Sequence, residues 1–323
     1  MTPSDTLLPD IVVVGAGALG SLIGGMLAEG GLPVTLVARR PEHPNAIARQ
    51  GGLRIVGHGG ERIVAVRTAS NVSAVNHADV VIFLCKTVST REAAQSVLHL
   101  FRGNRSIAVS FQNGLGNEEE IAAVIGDDRV IGGLTALGAR LEEPGVVRSF
   151  AQLPSFLGGL NSVTSPKARA VAELFTRHGL LTEYTPDIRR KKWVKLCANV
   201  AFSATSGVTG LTIAEVAKVP ELRRVALRAI DETAAVAAGC GIEIDTVERR
   251  EIFDALIDPN GAGANTTSMY RDLAAGRATE VDSIYGSVIR LGESHRIPTP
   301  ALETLAAIVK GLEAANAAVR KNP

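Results

Sequence analysis

The sequence predicts an α/β domain built on a doubly wound parallel sheet, followed by an all-α domain. In the first half, short apolar runs of strand length alternate with helix-like segments, which is the pattern of a parallel sheet with helices on both faces. From about Pro186 the glycine-rich strands give way to long alanine-rich amphipathic segments. With 323 residues the chain is too long for one typical domain. We therefore expect a first domain over residues 1–186 and a second over residues 187–323.

The predicted elements of the first domain begin with one βαβ unit. It consists of a strand over Ile11–Val14, a helix over Leu19–Gly30 and a strand over Pro33–Val37. Residues 51–68 are rich in glycine and β-branched residues and predict a hairpin-like excursion from the sheet. The remaining predictions are strands over Val80–Cys85, Ile107–Phe111, Val130–Gly138 and Val146–Leu157, a helix over Thr90–Phe101, and helices over residues 190–205, 212–239, 246–257, 266–276, 279–294 and 300–319.

Composition and charge exclude several classes of protein. An apolar content of 46% with a net charge of +1 is incompatible with a disordered chain, and it argues against a dedicated nucleic-acid binder. Residues 11–28 are uncharged, but five glycines interrupt them, so we expect strand, turn and helix here and no membrane segment. The first ten residues lack the basic residues of a secretory signal, and three scattered cysteines show no metal-ligand pattern. We expect a cytoplasmic protein without a metal site, whose partners are small molecules.

A glycine-rich motif follows the first strand. Its residues, at the point where a strand ends and a helix opens, match G-x-G-x-x-G: Gly15, Ala16, Gly17, Ala18, Leu19 and Gly20. In that context the first glycine permits a tight turn, the second lets the backbone approach a pyrophosphate, and the third lets the helix pack on the strand. The helix N-terminus then faces the anion. The motif predicts a dinucleotide site in a Rossmann-type domain, and the alternative is a purely structural turn.

The end of the second strand indicates which dinucleotide is bound. An enzyme that uses NAD places Asp or Glu there, against the ribose 2′-hydroxyl. This chain has Arg39 and Arg40. A guanidinium binds a 2′-phosphate through two hydrogen bonds and gains nothing comparable from a bare hydroxyl. We therefore expect NADPH, with a solvated arginine pair on a loop as the alternative.

Two polar residues follow predicted strands of the sheet. Lys86 comes directly after Val80–Cys85, and Asn113 comes shortly after Ile107–Phe111. Ligands of an open α/β sheet lie beyond the carboxyl ends of its strands, so both residues are expected beside the dinucleotide. Each also has an ordinary explanation, a surface lysine and a turn residue.

The predicted helix around residues 193–204 carries a polar stripe. Lys195, Asn199 and Ser203 are spaced by four residues in an otherwise apolar segment, so they lie on one face. That face contacts either a polar cleft or solvent.

Further along the chain, a cluster of polar residues opens a helix. Asn265, Thr266, Thr267 and Ser268 form a capping cluster, whose N–H groups and hydroxyls could equally hold a carboxylate. Glu280 follows within the next predicted helix, and because a lone glutamate there is usually solvated, spacing alone does not select it.

Together these residues resemble the ketopantoate reductase family, which comprises NADPH-dependent enzymes of pantothenate synthesis and their paralogues. The resemblance covers nearly the whole chain. It rests on the ordered motifs Gly15–Gly20, Lys86, residues 112–116, residues 193–199, and residues 265–269 followed by Asp272 and Glu280. It implies a Rossmann-type domain followed by a helical domain, in agreement with the hydrophobic pattern.

The resemblance also implies a reaction, the reduction of 2-dehydropantoate to (R)-pantoate. Lys195 would protonate the keto oxygen as NADPH delivers hydride, and Glu280 would be a second catalytic residue near the substrate hydroxyl. The implied substrate-binding residues are Asn199, Ser203, Asn265 and Ser268, and the implied cofactor-binding residues are Gly15, Ala16, Gly17, Ala18, Leu19, Gly20, Arg39, Lys86, Asn113 and the main chain of Gly138. A homodimer is compatible with the apolar helical surface.

Three positions depart from the family's pattern. Members commonly carry Gln where this chain has Ser89, and Asn followed by Pro where this chain has Ser203 and Ala204. Because that Asn helps to bind the substrate, Ser203 removes an amide donor and enlarges the pocket. Two alternatives therefore remain: a paralogue that reduces another branched or bulky 2-oxo acid, and an NADPH-binding sensor without chemistry. Retention of Lys195 and Glu280 argues against the sensor, which needs no proton donor.

Overall fold

The structure, a computed structural model, describes residues 8–103, 106–260 and 262–321. The described residues form two compact units. One contains the chain up to Gln112 together with Gly116–Arg189, and the other contains Asn113–Leu115 together with the chain from Arg190 onward. The first unit is α/β and the second is all-helical. The predicted fold class is confirmed.

The elements alternate along the first unit and become exclusively helical in the second. In chain order the strands are β1 (Ile11–Val14), β2 (Val34–Val37), β3 (Leu53–Gly57), β4 (Arg62–Val64), β5 (Arg67–Ala69), β6 (Val80–Phe83), β7 (Ile107–Ser110), β8 (Val130–Leu134), β9 (Gly138–Glu143), β10 (Val146–Ala151), β11 (Ser155–Gly159) and β12 (Thr182–Tyr184). The helices are α1 (Ala18–Glu29), α2 (Glu42–Arg49), α3 (Thr90–Ser96), α4 (Asn117–Ile125), α5 (Thr164–Arg177), α6 (Ile188–Thr209), α7 (Ile213–Lys218), α8 (Pro220–Gly239), α9 (Thr246–Ile257), α10 (Ser268–Ala274), α11 (Val281–His295) and α12 (Pro300–Lys321).

The main sheet of the first unit has β1 near its centre. Its strand order is β12-β11-β8-β7-β6-β1-β2-β5, with the strands from β8 to β5 parallel and β11 antiparallel to β8. Apolar side chains from α1 and α5 pack on one face, and those from α3 and α4 pack on the other. Strands covered on both faces read as continuous apolar runs, as β1 and β6 do.

A second, smaller sheet in the first unit has the order β4-β3-β10-β9. The predicted hairpin over residues 51–68 is confirmed in β3 and β4, although its last residues belong to β5 of the main sheet. The single strand predicted over residues 146–157 is wrong. It consists of β10 in the small sheet and β11 in the main sheet, separated at Pro154, which lacks the N–H that a continuous ladder needs. The strand predicted over residues 130–138 ends at Leu134, and Gly138 begins β9.

The helical unit packs around α6. Its core includes Trp193, Leu196, Cys197, Val200 and Phe202, all buried. The helix predicted over residues 212–239 is two helices, because Pro220 occupies the first turn of α8 and interrupts the hydrogen-bond ladder of α7. Within the residues that the structure describes, no helix combines the length and hydrophobicity needed to cross a bilayer.

Candidate active site

The glycine-rich loop between β1 and α1 has the backbone that its motif predicts. Gly15 has φ +103°, and a Cβ there would lie 2.4 Å from the Cys85 nitrogen. A Cβ on Gly20 would lie 2.3 Å from the Gly15 oxygen, so this glycine lets the helix pack on the loop. A Cβ on Gly17, in contrast, would meet no atom within 4 Å. The space beside Gly17 is therefore open to a ligand at the helix N-terminus, which fits a dinucleotide pyrophosphate.

The end of β2 presents a guanidinium to solvent. Arg39 is exposed, and its Nη2 lies 3.5 Å from the Ser89 hydroxyl, which it contacts as a donor. Its Nη1 lies 4.0 Å from the Glu92 carboxylate. Both partners are at the surface, so they compete only weakly with a phosphate for this arginine.

Lys86 and Gly138 lie in the same unit as the glycine-rich loop. Lys86 directly follows Cys85, the residue against which Gly15 packs, and it precedes a short 3-10 helix over Thr87–Ser89. The Gln112 amide donates to the Cys85 carbonyl oxygen at 2.9 Å, and it thereby ties the chain after β7 to the chain after β6. Gly138 opens β9, which packs beside α1.

In the helical unit, one amide joins the two predicted catalytic residues. The Nζ atom of Lys195 donates to Oδ1 of Asn113 at 3.0 Å, and Nδ2 of Asn113 donates to Oε2 of Glu280, also at 3.0 Å. The sequence predicted Asn113 as a cofactor contact and did not predict this link. Glu280 is the residue immediately before α11, not a residue inside a helix as expected.

Gly114 brings Asn113 beside α11. Its φ is +81°, and a Cβ at this position would lie 2.2 Å from the Ser283 carbonyl oxygen. Only glycine combines that backbone conformation with so close an approach. The Asn-Gly pair in the sequence therefore serves a packing need as well as a turn.

Lys195 has an altered affinity for its proton. Its surroundings lower its pKa from 10.5 to about 8, chiefly because burial penalises the charged ammonium and secondarily because Lys192 is a nearby cation. The Glu280 carboxylate acts in the opposite direction. A lysine with a pKa near neutrality is suited to donate a proton and to take it up again.

The predicted substrate residues lie on α6 and around the start of α10. Ser203 is buried, and its carbonyl oxygen accepts a hydrogen bond of 3.2 Å from the Thr267 hydroxyl. Thr267 is the N-cap of α10, so the predicted capping cluster is confirmed and contacts α6 through this residue. Asn199 is partly buried, whereas Asn265 and Ser268 are exposed.

One cluster in the described residues has the composition of a metal site. The ligand atoms of Asp10, His77 and Asp79 lie within 4.8 Å of one another at the amino ends of β1 and β6. Arg67 pairs with Asp10, and Asp79 accepts from the Asp10 N–H at 2.8 Å and lies 3.3 Å from His77. The carboxylates are thus already engaged by partners within the chain.

Comparison with known proteins identifies the family. Residues 11–161 match the model of ketopantoate reductase PanE/ApbA, and residues 187–313 match that of its C-terminal part. The chain belongs to the ketopantoate reductase family. It is 33% identical over 303 residues to a 2-dehydropantoate 2-reductase of Halobacterium salinarum, an alignment that covers 93% of this chain and 97% of the relative. The corresponding enzyme of Pyrococcus horikoshii is also 33% identical, covering 94% of this chain and 97% of the relative.

Solved structures of the ketopantoate reductase fold agree with this assignment. A ketopantoate reductase from Ralstonia eutropha superposes with a TM-score of 0.85 at 28% identity, covering 95% of this chain and 99% of the other. A D-mandelate dehydrogenase in a ternary complex with NADH and anilino(oxo)acetate superposes with a TM-score of 0.90 at 27% identity and the same coverage. Proteins with this fold are thus named after two different substrates, ketopantoate and D-mandelate.

Proposed function

We propose that this protein is an NADPH-dependent reductase that converts 2-dehydropantoate to (R)-pantoate. The observation that carries the proposal is the array of Lys195, Asn113 and Glu280, joined by two hydrogen bonds of 3.0 Å in a member of the ketopantoate reductase family. An ammonium, an amide and a carboxylate in that order fit the reduction of a carbonyl, because a developing alkoxide needs a proton and a nearby positive charge.

Lys195 is the proton donor in this proposal. The cofactor, when bound, supplies the hydride, and the Lys195 ammonium stabilises the negative charge on the keto oxygen before it gives up its proton. Asn113 accepts one of the three ammonium hydrogens and thereby orients Nζ. The ionised Glu280 carboxylate can only accept hydrogen bonds, so it binds the Nδ2 group of Asn113. This orientation of the amide directs Oδ1 towards Lys195.

The residues at the start of α10 are assigned to the substrate. The Asn265 and Ser268 side chains are exposed and offer an amide and a hydroxyl to a carboxylate. Asn199 lies one turn beyond Lys195 on the same face of α6. We assign these three residues, together with Ser203 on α6, to substrate binding, as the family resemblance implies.

The first unit is assigned to the dinucleotide. The open space at Gly17 accommodates the pyrophosphate, and the exposed Arg39 guanidinium suits a 2′-phosphate. NADPH is therefore the proposed cofactor, with Lys86 and the main chain of Gly138 as further contacts.

The test of the proposal is an assay of NADPH oxidation by the purified protein, monitored through the absorbance of NADPH. The substrate is 2-dehydropantoate, and NADH is the control cofactor. Rapid oxidation that is faster with NADPH supports the proposal. Tight NADPH binding without oxidation by any 2-oxo acid would instead indicate a sensor.

A second candidate is the reduction of a bulkier 2-oxo acid. It is favoured by Ser203, a small side chain where family members commonly carry Asn, and by the similarity to a D-mandelate dehydrogenase that binds anilino(oxo)acetate. A panel of branched and aromatic 2-oxo acids separates the candidates. Under the second one, the Ser203→Asn variant loses activity towards bulky acids and gains it towards 2-dehydropantoate.

A further inference from the structure

A buried tyrosine hydroxyl bonds to both backbone groups of one turn of α6. The Tyr285 hydroxyl accepts from the Ala204 N–H at 2.9 Å and donates to the Val200 carbonyl oxygen at 2.8 Å. In a regular helix this N–H and this carbonyl are each other's partners, since residues 200 and 204 are four apart. Tyr285 is fully buried, and burial raises its pKa, so the hydroxyl stays protonated and can donate.

The same turn of α6 accepts further bonds from side-chain hydroxyls. The Thr205 hydroxyl contacts the carbonyl oxygens of Ala201 at 3.1 Å and Phe202 at 3.4 Å, and the Thr267 hydroxyl donates to that of Ser203. Together with Val200, four successive carbonyls thus accept a side-chain hydroxyl. Side chains inserted into the ladder are a recognised cause of local bends in helices.

The turn that Tyr285 bonds adjoins two residues that we assign to the substrate. Asn199 comes directly before it, and Ser203 lies within it. The inserted hydroxyl belongs to α11, which begins directly after Glu280. One short stretch of chain therefore supplies both the carboxylate of the catalytic array and the hydroxyl that bonds to the backbone of α6.

We propose that Tyr285 is a positioning residue for substrate binding: its hydroxyl, held between the Val200 carbonyl and the Ala204 N–H, sets the direction in which Asn199 and Ser203 project from α6. This proposal rests on the proposed function. Tyr285 itself touches the backbone of α6 and acts on the substrate only through these two side chains.

The test begins with Tyr285→Phe, which removes the hydroxyl and keeps the ring. Without the hydroxyl, we expect the Ala204 N–H to bond only to the Val200 carbonyl and the turn to tighten. We expect kcat/KM for the 2-oxo acid to fall about 10- to 100-fold, mostly through KM, because small displacements of binding groups have effects of this size. The dissociation constant of NADPH is expected to stay unchanged.

The matched control is Ser287→Ala. Ser287 is also buried on α11, and its hydroxyl donates to a backbone oxygen, that of Ser283, at 2.6 Å. Its bond lies within α11, so its loss costs a comparable hydrogen bond without altering the turn of α6. An equal rise of KM in both variants would overturn the proposal, because the loss of any buried hydrogen bond would then be enough to raise KM.

A structural measurement separates this proposal from the proposed function. Crystal structures of the wild type and Tyr285→Phe are expected to differ in the turn 200–204 and in the directions of Asn199 and Ser203. Superposable turns would overturn the role of Tyr285 even in an active enzyme. Absence of turnover with every 2-oxo acid would reject the proposed function, and the crystal structures would still decide whether Tyr285 shapes α6.

Discussion

The amide of Asn113 lies between Lys195 and Glu280 and bonds each of them at 3.0 Å. Lys195 lies on α6, and Glu280 immediately precedes α11. The amide can satisfy both only in one orientation, with its oxygen towards the ammonium and its nitrogen towards the carboxylate. Asn113 therefore couples the proposed proton donor to the carboxylate, and this role differs from the cofactor contact that the sequence predicted.

Replacing Asn113 distinguishes these two roles. We expect Asn113→Leu, which keeps the size and removes both bonds, to lower kcat by about 10- to 100-fold, the range for a lost positioning group. The dissociation constant of NADPH, measured by fluorescence titration, should change little. A large loss of NADPH affinity with normal kcat would instead support the predicted role as a cofactor contact.

The glycine-rich loop allows binding and folding to be separated. Gly17→Ala places a methyl group in open space, so the melting temperature should be unchanged while NADPH binding weakens roughly 10- to 100-fold, or about 1.4–2.8 kcal/mol. Gly20→Ala places a methyl group 2.3 Å from the Gly15 oxygen, and we expect destabilisation by about 1–3 kcal/mol. Thermal unfolding checks both variants. Unaltered NADPH affinity in Gly17→Ala would show that the loop holds no pyrophosphate.

Cofactor choice is expected to depend on Arg39. Loss of a charge-assisted bond costs about 1.5–3 kcal/mol, so Arg39→Ala should weaken NADPH about 10- to 100-fold and leave NADH nearly unaffected. Arg40→Ala is the matched control, because Arg40 is the adjacent exposed arginine. Equal losses for NADPH and NADH would assign Arg39 a structural role, and a larger effect of Arg40→Ala would transfer the assignment to Arg40.

The pH dependence of reduction follows from Lys195. The ammonium form is the proton donor, so kcat should fall as pH rises through the lysine pKa of about 8. Glu280→Gln removes a charge that favours the ammonium, and the fall should move to lower pH. Lys192→Met removes a nearby cation, and the fall should move to higher pH. Steady-state rates across pH measure both displacements, and shifts in the reverse directions would exclude Lys195 as the titrating donor.

Sequence reasoning predicted those features that depend on local pattern. The motif at Gly15–Gly20 and the confirmed cap at Thr267 follow from residue types at fixed spacing, which the backbone enforces locally. The strand pattern also revealed β1, β6 and β7 within one or two residues.

Features that depend on distant contacts were not predictable. Alternation of apolar and polar residues reveals a strand but not the sheet to which it belongs. The strands β9 and β10 could therefore not be assigned to a second sheet. Asn113 and Glu280 are 167 residues apart, and no spacing rule connects them. Tyr285 resembles any buried aromatic residue in the sequence, and its role depends on which helix its hydroxyl reaches. The amphipathic helix α5 and the strand β12 were present in the pattern but were not recognised.

The most direct test of the central claim is the rate of NADPH oxidation by Lys195→Ala in a single turnover with the 2-oxo acid that the wild type reduces. Lys218→Ala, at an exposed lysine of α7, is the control. Loss of a general acid predicts a rate about 10²–10⁴-fold below that of the wild type, with NADPH binding retained. A rate close to that of the wild type would contradict the assignment of Lys195 as the proton donor.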